Sequence, residues 1–290
     1  SNINVDTNNI LVTNGSMEGI SLATSLLATR TNFVITEQPS YWRALEIFQF
    51  SKTNLSLVDV HAGGMDTKQL ETVLYELYSG GNEVAFLYCI PSFQNPTGQT
   101  LNLDSRQRLL DLATQFDFYI LEDSAYEHLG FEPSLPSLYS LCKDDRVILL
   151  GTLSKVICPG LRIGWLIAPS KLVSRLAAIK PDGGTNPLAS TIANRLLKII
   201  HWNDHLALLT NFYKSRYEVM ENCLDRIGEE YITWLKPTGG FFVWLKLSER
   251  IDLCLFDQHC QSRNVALLRG RANGKNCSEY SIRLAFSNLN

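Results

Sequence analysis

Over the first two thirds of the chain, short β-branched or aromatic runs alternate with stretches whose apolar positions recur at helical spacing. The runs Asn32–Thr36, Leu55–Val60, Glu83–Ile90, Phe118–Leu121, Arg146–Leu150 and Ile163–Ala168 read as strands. Several are apolar throughout, as strands covered on both faces should be. Between them a helix is predicted from Ser16, with Met17, Ile20, Ala23, Leu26 and Leu27 on one side. Two further helices open on capping signals, Asp66 followed by Gln69 and Asp104 followed by Gln107. In such signals a side-chain oxygen meets the free amides of the first turn. Repeated strand–helix alternation predicts an α/β fold, a mostly parallel sheet between helices.

The last third changes character. Pro187–Trp202 and Asp204–Ile227 read as helices, the second long enough to bridge two lobes. Thr238–Leu247 and Tyr280–Phe286 read as strands, with a helix near Asp252–Gln261. Helix and strand now mix without the earlier alternation. This predicts a large domain over residues 1–223 and a smaller α+β lobe over 224–290.

Composition narrows the class. With 45% hydrophobic residues among 290, the chain can fill a sizeable core. Its 26 basic and 29 acidic side chains leave no surplus to hold a polyphosphate backbone, so no nucleic-acid partner is expected. The seven cysteines are scattered and form no C-x-x-C pair, which reads as reduced thiols in a reducing compartment. The longest apolar run, Val84–Ile90, is too short to span a bilayer, as is Val147–Leu150, and SNINVDTNNI carries no signal-peptide pattern. The expectation is a soluble cytoplasmic enzyme without a membrane partner.

Ligands of open parallel sheets bind beyond the carboxyl ends of the strands. Three strands here run into polar loops: Pro91–Gly98, Glu122–Tyr126 and Gly151–Lys155, the last continuing to Arg162. Lys155 is either a solvated surface charge or a placed amine. Thr152, Ser154 and Arg162 stand close by in sequence, and hydroxyls with a guanidinium fork suit phosphate oxygens. An amine beside such a pocket could form an imine with a phosphorylated aldehyde; otherwise Arg162 makes an ordinary ion pair. Gly15-Ser16-Met17 precedes a helix and is either a simple cap or a phosphate-binding helix start. Asp123, at a strand end, is a turn residue or a partner for a pyridine nitrogen. Asn95 and Tyr126 could bond a phenolic oxygen, although Asn95-Pro96 is also a turn signal. Tyr41 is either core or a ring that stacks on a cofactor.

TNGSMEG, EQPSY, QNPTG, EDSAY, GTLSK-x₃-PGLRIGW and SIRLAFS follow one another from Thr13 to Ser287. In this order they resemble the fold type I, pyridoxal-phosphate-dependent aminotransferases. The similarity points to the branch of α-aminoadipate, kynurenine and multi-substrate enzymes. The resemblance implies a sheet of seven-stranded type and pyridoxal 5'-phosphate as cofactor. Substrates would be an amino acid and a 2-oxo acid, with 2-oxoglutarate as the expected acceptor, and the assembly a homodimer. It implies a Schiff base on Lys155, which then moves the Cα proton. Asp123 would pair with the pyridinium nitrogen; Asn95 and Tyr126 would bond the ring oxygen, and Tyr41 would stack. Ser16 and Met17 (through their amides), Thr152, Ser154 and Arg162 would bind the phosphate. Arg283 would clamp the substrate carboxylate, with Asn95 beside it; the plain alternative for Arg283 is a strand-edge charge.

Relative to that family the chain looks trimmed at both ends, with a segment before Thr13 and a closing helix after Arg283 expected but not seen. Leu267–Arg271 replaces a Pro-Gly turn and an aromatic residue. A lyase of the same fold, or the aminotransferase-like sensor domain of a transcription regulator, are the alternative functions. His201 and His205 read as surface or packing residues, Trp234, Phe241, Phe242 and Trp244 as small-lobe core, and Arg269 and Arg271 as solvated.

Overall fold

The structure is a computed structural model and describes residues 3–28, 33–274 and 277–288. Asn32, the first residue of one expected strand, lies outside them. The first half contains β1 (Ile10–Thr13), α1 (Ser16–Leu27), β2 (Phe33–Gln38), α2 (Trp42–Phe50), β3 (Asn54–His61), β4 (Gly64–Met65), α3 (Thr67–Ser79), β5 (Val84–Cys89), α4 (Leu103–Phe116) and β6 (Tyr119–Asp123). Then come α5 (Leu138–Leu141), β7 (Val147–Thr152), β8 (Gly164–Ile167), α6 (Ser170–Ala178), α7 (Pro187–Ile199) and α8 (Trp202–Asp225). The chain continues with β9 (Ile232–Trp234), β10 (Phe242–Leu247), α9 (Leu253–Ser262), β11 (Leu268–Arg269) and β12 (Ser281–Ala285).

Among the described residues, one sheet has the order β1-β8-β7-β6-β5-β2-β3-β4. Strands β2, β3, β5, β6 and β7 run parallel, β8 lies antiparallel to β1 and β7, and β4 is antiparallel to β3. The expected α/β class and mostly parallel sheet hold, and the two-residue β4 makes an eighth strand. The reason lies in strands such as β5, VAFLYC, where every residue is buried. Phe86 and Tyr88 join the core made with Ile20, Ala23, Leu45 and Phe48 of α1 and α2. Leu87 and Cys89 join the opposite core, with Leu70 and Leu74 of α3 and Leu109 and Leu112 of α4. Fully burying each large side chain contributes about 1.5–3 kcal/mol, so a strand apolar on both faces is held only between two helical layers.

A second sheet, in the order β11-β12-β10-β9, is antiparallel and has its own core of Val243, Leu245, Leu247, Ile282 and Phe286 against Tyr217 and Leu224 of α8. Leu224, where the smaller lobe was expected to start, lies in the last turn of α8. Among the described residues no helix is long and apolar enough to cross a membrane.

Several local expectations change. Asp66 caps α3 as expected, accepting from the amides of Lys68 and Gln69. The cap of α4 is Asn102, whose side chain accepts from Ser105 N; Asp104 sits within the first turn, where its charge meets the positive helix end. The helix expected to reach Trp202 stops at Ile199, because Ile200 and His201 are extended, and Trp202 opens α8 with its ring against His128. Only Phe242–Leu247 of the expected Thr238–Leu247 strand pairs within the second sheet. Thr238–Gly240 instead crosses to the first lobe, bridging Gly239 to Gly130. A Cβ on Gly239 would lie 2.6 Å from Leu129 O and from the Phe93 ring, so glycine permits this approach. Helices α2 and α6 and strand β1 had no sequence expectation.

Arg106 of α4 is fully buried (0% exposed), with no carboxylate in hydrogen-bond contact among the described residues. Its guanidinium donates instead to Leu101 O at 2.9 Å, Pro136 O at 3.0 Å, Pro91 O at 2.9 Å and Ser92 Oγ at 2.9 Å. It thereby fixes the loop that follows β5. Arg106→Met leaves Leu101 O and Ser92 Oγ buried without this donor, each costing about 1–3 kcal/mol, whereas Pro91 O keeps the Leu101 amide. The expected loss is about 3 kcal/mol or more, read as a lower denaturant midpoint with unchanged slope.

Candidate active site

Parallel strands end on one rim, so the loops after β2, β5, β6 and β7 meet there. Alternation along β6 puts Leu121 in the α1/α2 core and Glu122 on the other face, where it accepts from the amides of Leu138 and Tyr139. Asp123 then returns to the first face, 3% exposed. Its Oδ2 accepts from the Tyr88 hydroxyl at 2.9 Å and its Oδ1 from Ala125 N at 3.2 Å. Burial raises the pKa of this carboxyl, while those two hydrogen bonds and the positive charge of Lys155 act to lower it. Lys155 lies in the turn after β7, its amine 5.7 Å from the Tyr126 ring centre and 5.9 Å from that of Phe241. Burial lowers the pKa of the amine. Asp123 opposes that effect, and the charges of Arg283 and Arg162 add to it.

An anion pocket forms at one end. Ser16 and Met17 are the first two residues of α1, whose free amides and dipole favour negative charge. Thr152 ends β7, and its Oγ1 lies 2.9 Å from Ser154 Oγ and accepts from Ser154 N at 3.1 Å. Arg162 follows the short helical turn Pro159–Leu161 in a left-handed conformation (φ 53°) and donates to Asn14 O at 3.4 Å. No ion pair to Arg162 is found among the described residues. Gly15 has φ 81°, and a Cβ there would lie 2.5 Å from Arg162 Nη2. The missing Cβ lets the guanidinium reach the start of the helix.

At the other end a polar chain links the sheets. Arg283 Nη1, from β12, donates to Asn95 Oδ1 at 3.0 Å, and Asn95 Nδ2 donates to Tyr126 OH at 3.3 Å. The guanidinium lies 4.3 Å from the Phe242 ring centre, close enough for a cation–π contact. Burial raises the Tyr126 hydroxyl pKa, which keeps the group protonated. Burial raises the Tyr41 hydroxyl in the same way.

Ser16, Met17, Tyr41, Asn95, Asp123, Tyr126, Thr152, Ser154, Lys155, Arg162 and Arg283 all line one cavity of about 310 Å³. Sequence reasoning missed Trp42, Ile90, Ala125 and Pro159, which line it too. It read Phe242 as core alone, whereas Phe242 is buried and also lines the cavity beneath Arg283. The strand register carries that signal: Arg283 faces Trp244, two residues from Phe242 on the same side. Arg269 and Arg271 pair with Asp257 and Glu279. His205 packs its ring nitrogen 2.6 Å from Val156 O, next to Lys155.

Residues 1–290 match the family profile described as aminotransferase class I and II. The chain is 35% identical to aromatic-amino-acid aminotransferase 1 of Thermococcus litoralis over 91% of its own length and 64% of that protein's. It is 30% identical to an HTH-type transcriptional regulator, YisV, of Bacillus subtilis over 98% of its length and 58% of the regulator's. Thus it spans less than two thirds of either relative. Among solved structures, it superposes on LysN, the α-aminoadipate aminotransferase of Thermus thermophilus, complexed with N-(5'-phosphopyridoxyl)-L-leucine. The TM-score is 0.92 at 31% identity, covering 99% of this chain and 74% of that one. The fold and the cavity define a PLP-transferase type of α/β protein. The chain belongs to the class I and II aminotransferase family.

Behind the cavity, Glu37 is 3% exposed and accepts from Ile90 N at 3.1 Å and Gln94 Nε2 at 3.2 Å. Gln94 also donates to Pro39 O at 2.7 Å and accepts from Thr97 N and Oγ1 at 2.9 and 2.7 Å. The pair joins the loop carrying Tyr41 to the loop carrying Asn95. Burial pushes the Glu37 carboxyl up to about 8 from an ordinary 4.5. The native state therefore holds one more proton than the unfolded chain between these values. This contribution is present in full below about pH 4.5 and is lost as pH rises through about 8. Glu122, pushed up to about 7, acts in the same direction. The unfolding free energy should fall between about pH 5 and pH 8, and Glu37→Gln should flatten that slope. Denaturant titrations at a series of pH values measure both.

Proposed function

We propose that this chain is a pyridoxal-phosphate-dependent aminotransferase that moves an amino group from an amino acid to a 2-oxo acid, with 2-oxoglutarate as the acceptor. One observation carries the reading: an amine, a buried carboxylate, an anion pocket and an arginine fork converge on one cavity. The donor set fits the cofactor. The cleft has a helix start, hydroxyls and Arg162 for a phosphate, Asp123 for a ring nitrogen, and Lys155 for an aldehyde.

When bound, pyridoxal phosphate supplies an aldehyde that condenses with amines and a ring that withdraws electrons. The protein's residues do the rest. Arg162, Thr152, Ser154 and the amides of Ser16 and Met17 hold the phosphate. Asp123 keeps a proton on the ring nitrogen, because its charge makes protonation there favourable. Asn95 and Tyr126 would bond the ring oxygen, and Tyr41 would cover the ring. Lys155, its pKa lowered by burial, would be the amine for the aldehyde and would carry the proton from the substrate Cα. Arg283 grips the substrate carboxylate through two parallel hydrogen bonds. Its contact with Asn95 couples that grip to the ring oxygen. The proposal extends to a homodimer, as the family resemblance implies, and to a reducing compartment such as the cytoplasm, as the scattered cysteines suggest.

The regulator among the relatives supports a second reading, a domain that binds cofactor and amino acid to signal rather than to turn over. A coupled assay against a panel of amino acids with 2-oxoglutarate, run while recording the visible spectrum, separates the two. Spectral change without amino transfer favours the sensor or a lyase of the same fold. For the enzyme, Lys155→Ala should abolish turnover. Asp123→Ala should lower it by on the order of 10²–10³-fold while some cofactor still binds, the scale of losing one placed electrostatic group. Near-normal transamination by either variant refutes the assignment.

A further inference from the structure

Tyr88 lies outside the cavity, in the middle of an apolar strand, yet it makes a direct contact with Asp123. The parallel register sets Tyr88 opposite Leu121 and therefore diagonal to Asp123 on the same face of the sheet. The ring is fully buried (0% exposed), and the Phe48 ring of α2 meets it edge-on at 5.5 Å. Held this way, the hydroxyl reaches Asp123 Oδ2 at 2.9 Å, while Ala125 N occupies Oδ1 at 3.2 Å.

We propose that Tyr88 is a positioning residue for the reaction: its hydroxyl holds the Asp123 carboxylate ionised and in one orientation, from the side away from the cavity. This rests on the functional reading above. Two partners on opposite oxygens fix the carboxyl rotation, which a single partner leaves free to turn. Burial and the negative charges nearby push the Tyr88 hydroxyl well up, so it remains a donor whenever Asp123 is charged. The titratable groups whose charge acts on or with Asp123 are Glu37 on β2, Tyr88 on β5, Cys89 on the opposite face of β5, Tyr41, Tyr126 and Lys155. Glu37 and Asp123 repel each other, which raises the Glu37 carboxyl, whereas Lys155 lowers that of Asp123. Tyr88 is the side-chain hydrogen-bond donor acting directly on Asp123.

Tyr88→Phe keeps the ring against Phe48 and removes only the donor. In protein free of cofactor, ¹³C NMR titration of carboxyl-labelled aspartates follows Asp123, assigned by its loss in Asp123→Asn. The expected midpoint rises by about one to two pH units, the range of one hydrogen bond to a charged group. In loaded protein, the single-turnover half-reaction slows by about tenfold or more. Fluorotyrosine at position 88, a stronger donor of nearly the same shape, moves the midpoint the other way, which a purely structural role would not do. Titration and rates in Tyr88→Phe that superimpose on wild type overturn this inference and leave the functional reading standing. Wild-type protein that takes up no pyridoxal phosphate overturns the functional reading and, with it, the role of Tyr88.

Discussion

Asp123 is a carboxylate held almost wholly out of water, and the cavity is organised around that cost. An unpartnered buried charge costs several kcal/mol and ordinarily takes up a proton. Here the Tyr88 hydroxyl, the Ala125 amide and the Lys155 charge offset burial, and they come from β5, the loop after β6 and the loop after β7. None of these groups is near Asp123 along the chain except Ala125. The parallel pairing of β5, β6 and β7 brings them together, so the electrostatics of the site is a property of the sheet.

A second polar layer holds the loops in place. Arg106 grips the Pro91–Ser92 turn, and the Glu37–Gln94 pair ties the loop after β2 to the loop after β5. The Asn95 loop is thereby fixed from behind. From the front Asn95 receives a hydrogen bond from Arg283, a residue of the second sheet. The Phe93 ring, the Gly130–Gly239 bridge and this contact join the two sheets around the cavity. Arg283 on the second sheet and Tyr126 beside the first are thus mechanically connected through Asn95.

Much of this was legible from the chain alone where chemistry is local. Strands buried on both faces announce themselves as unbroken apolar runs, as in Val84–Ile90, because no polar residue can face a helix layer without a partner. The site residues stand in short loops at strand ends, and their types (amine, hydroxyls, guanidinium, carboxylate, amide) name the ligand chemistry they suit. Short or interrupted elements were not legible. β1 has four residues and shows no period, and the cap of α4 depends on whether Asn102 or Asp104 first leaves extended backbone. The break between α7 and α8 lies at the extended Ile200 and His201, which no local period marks.

By itself the sequence determined the α/β class, the loops that carry the chemistry and the residue types within them, because composition and period express burial directly. Tertiary structure alone decided which core-like residues serve the site. Tyr88 and Phe242 look like packing until strand register sets one beside Asp123 and the other beneath Arg283. Arg106 looks like a surface charge until the Pro91 and Pro136 carbonyls close over it. Register and loop closure join residues far apart in the chain, and no local pattern records that pairing.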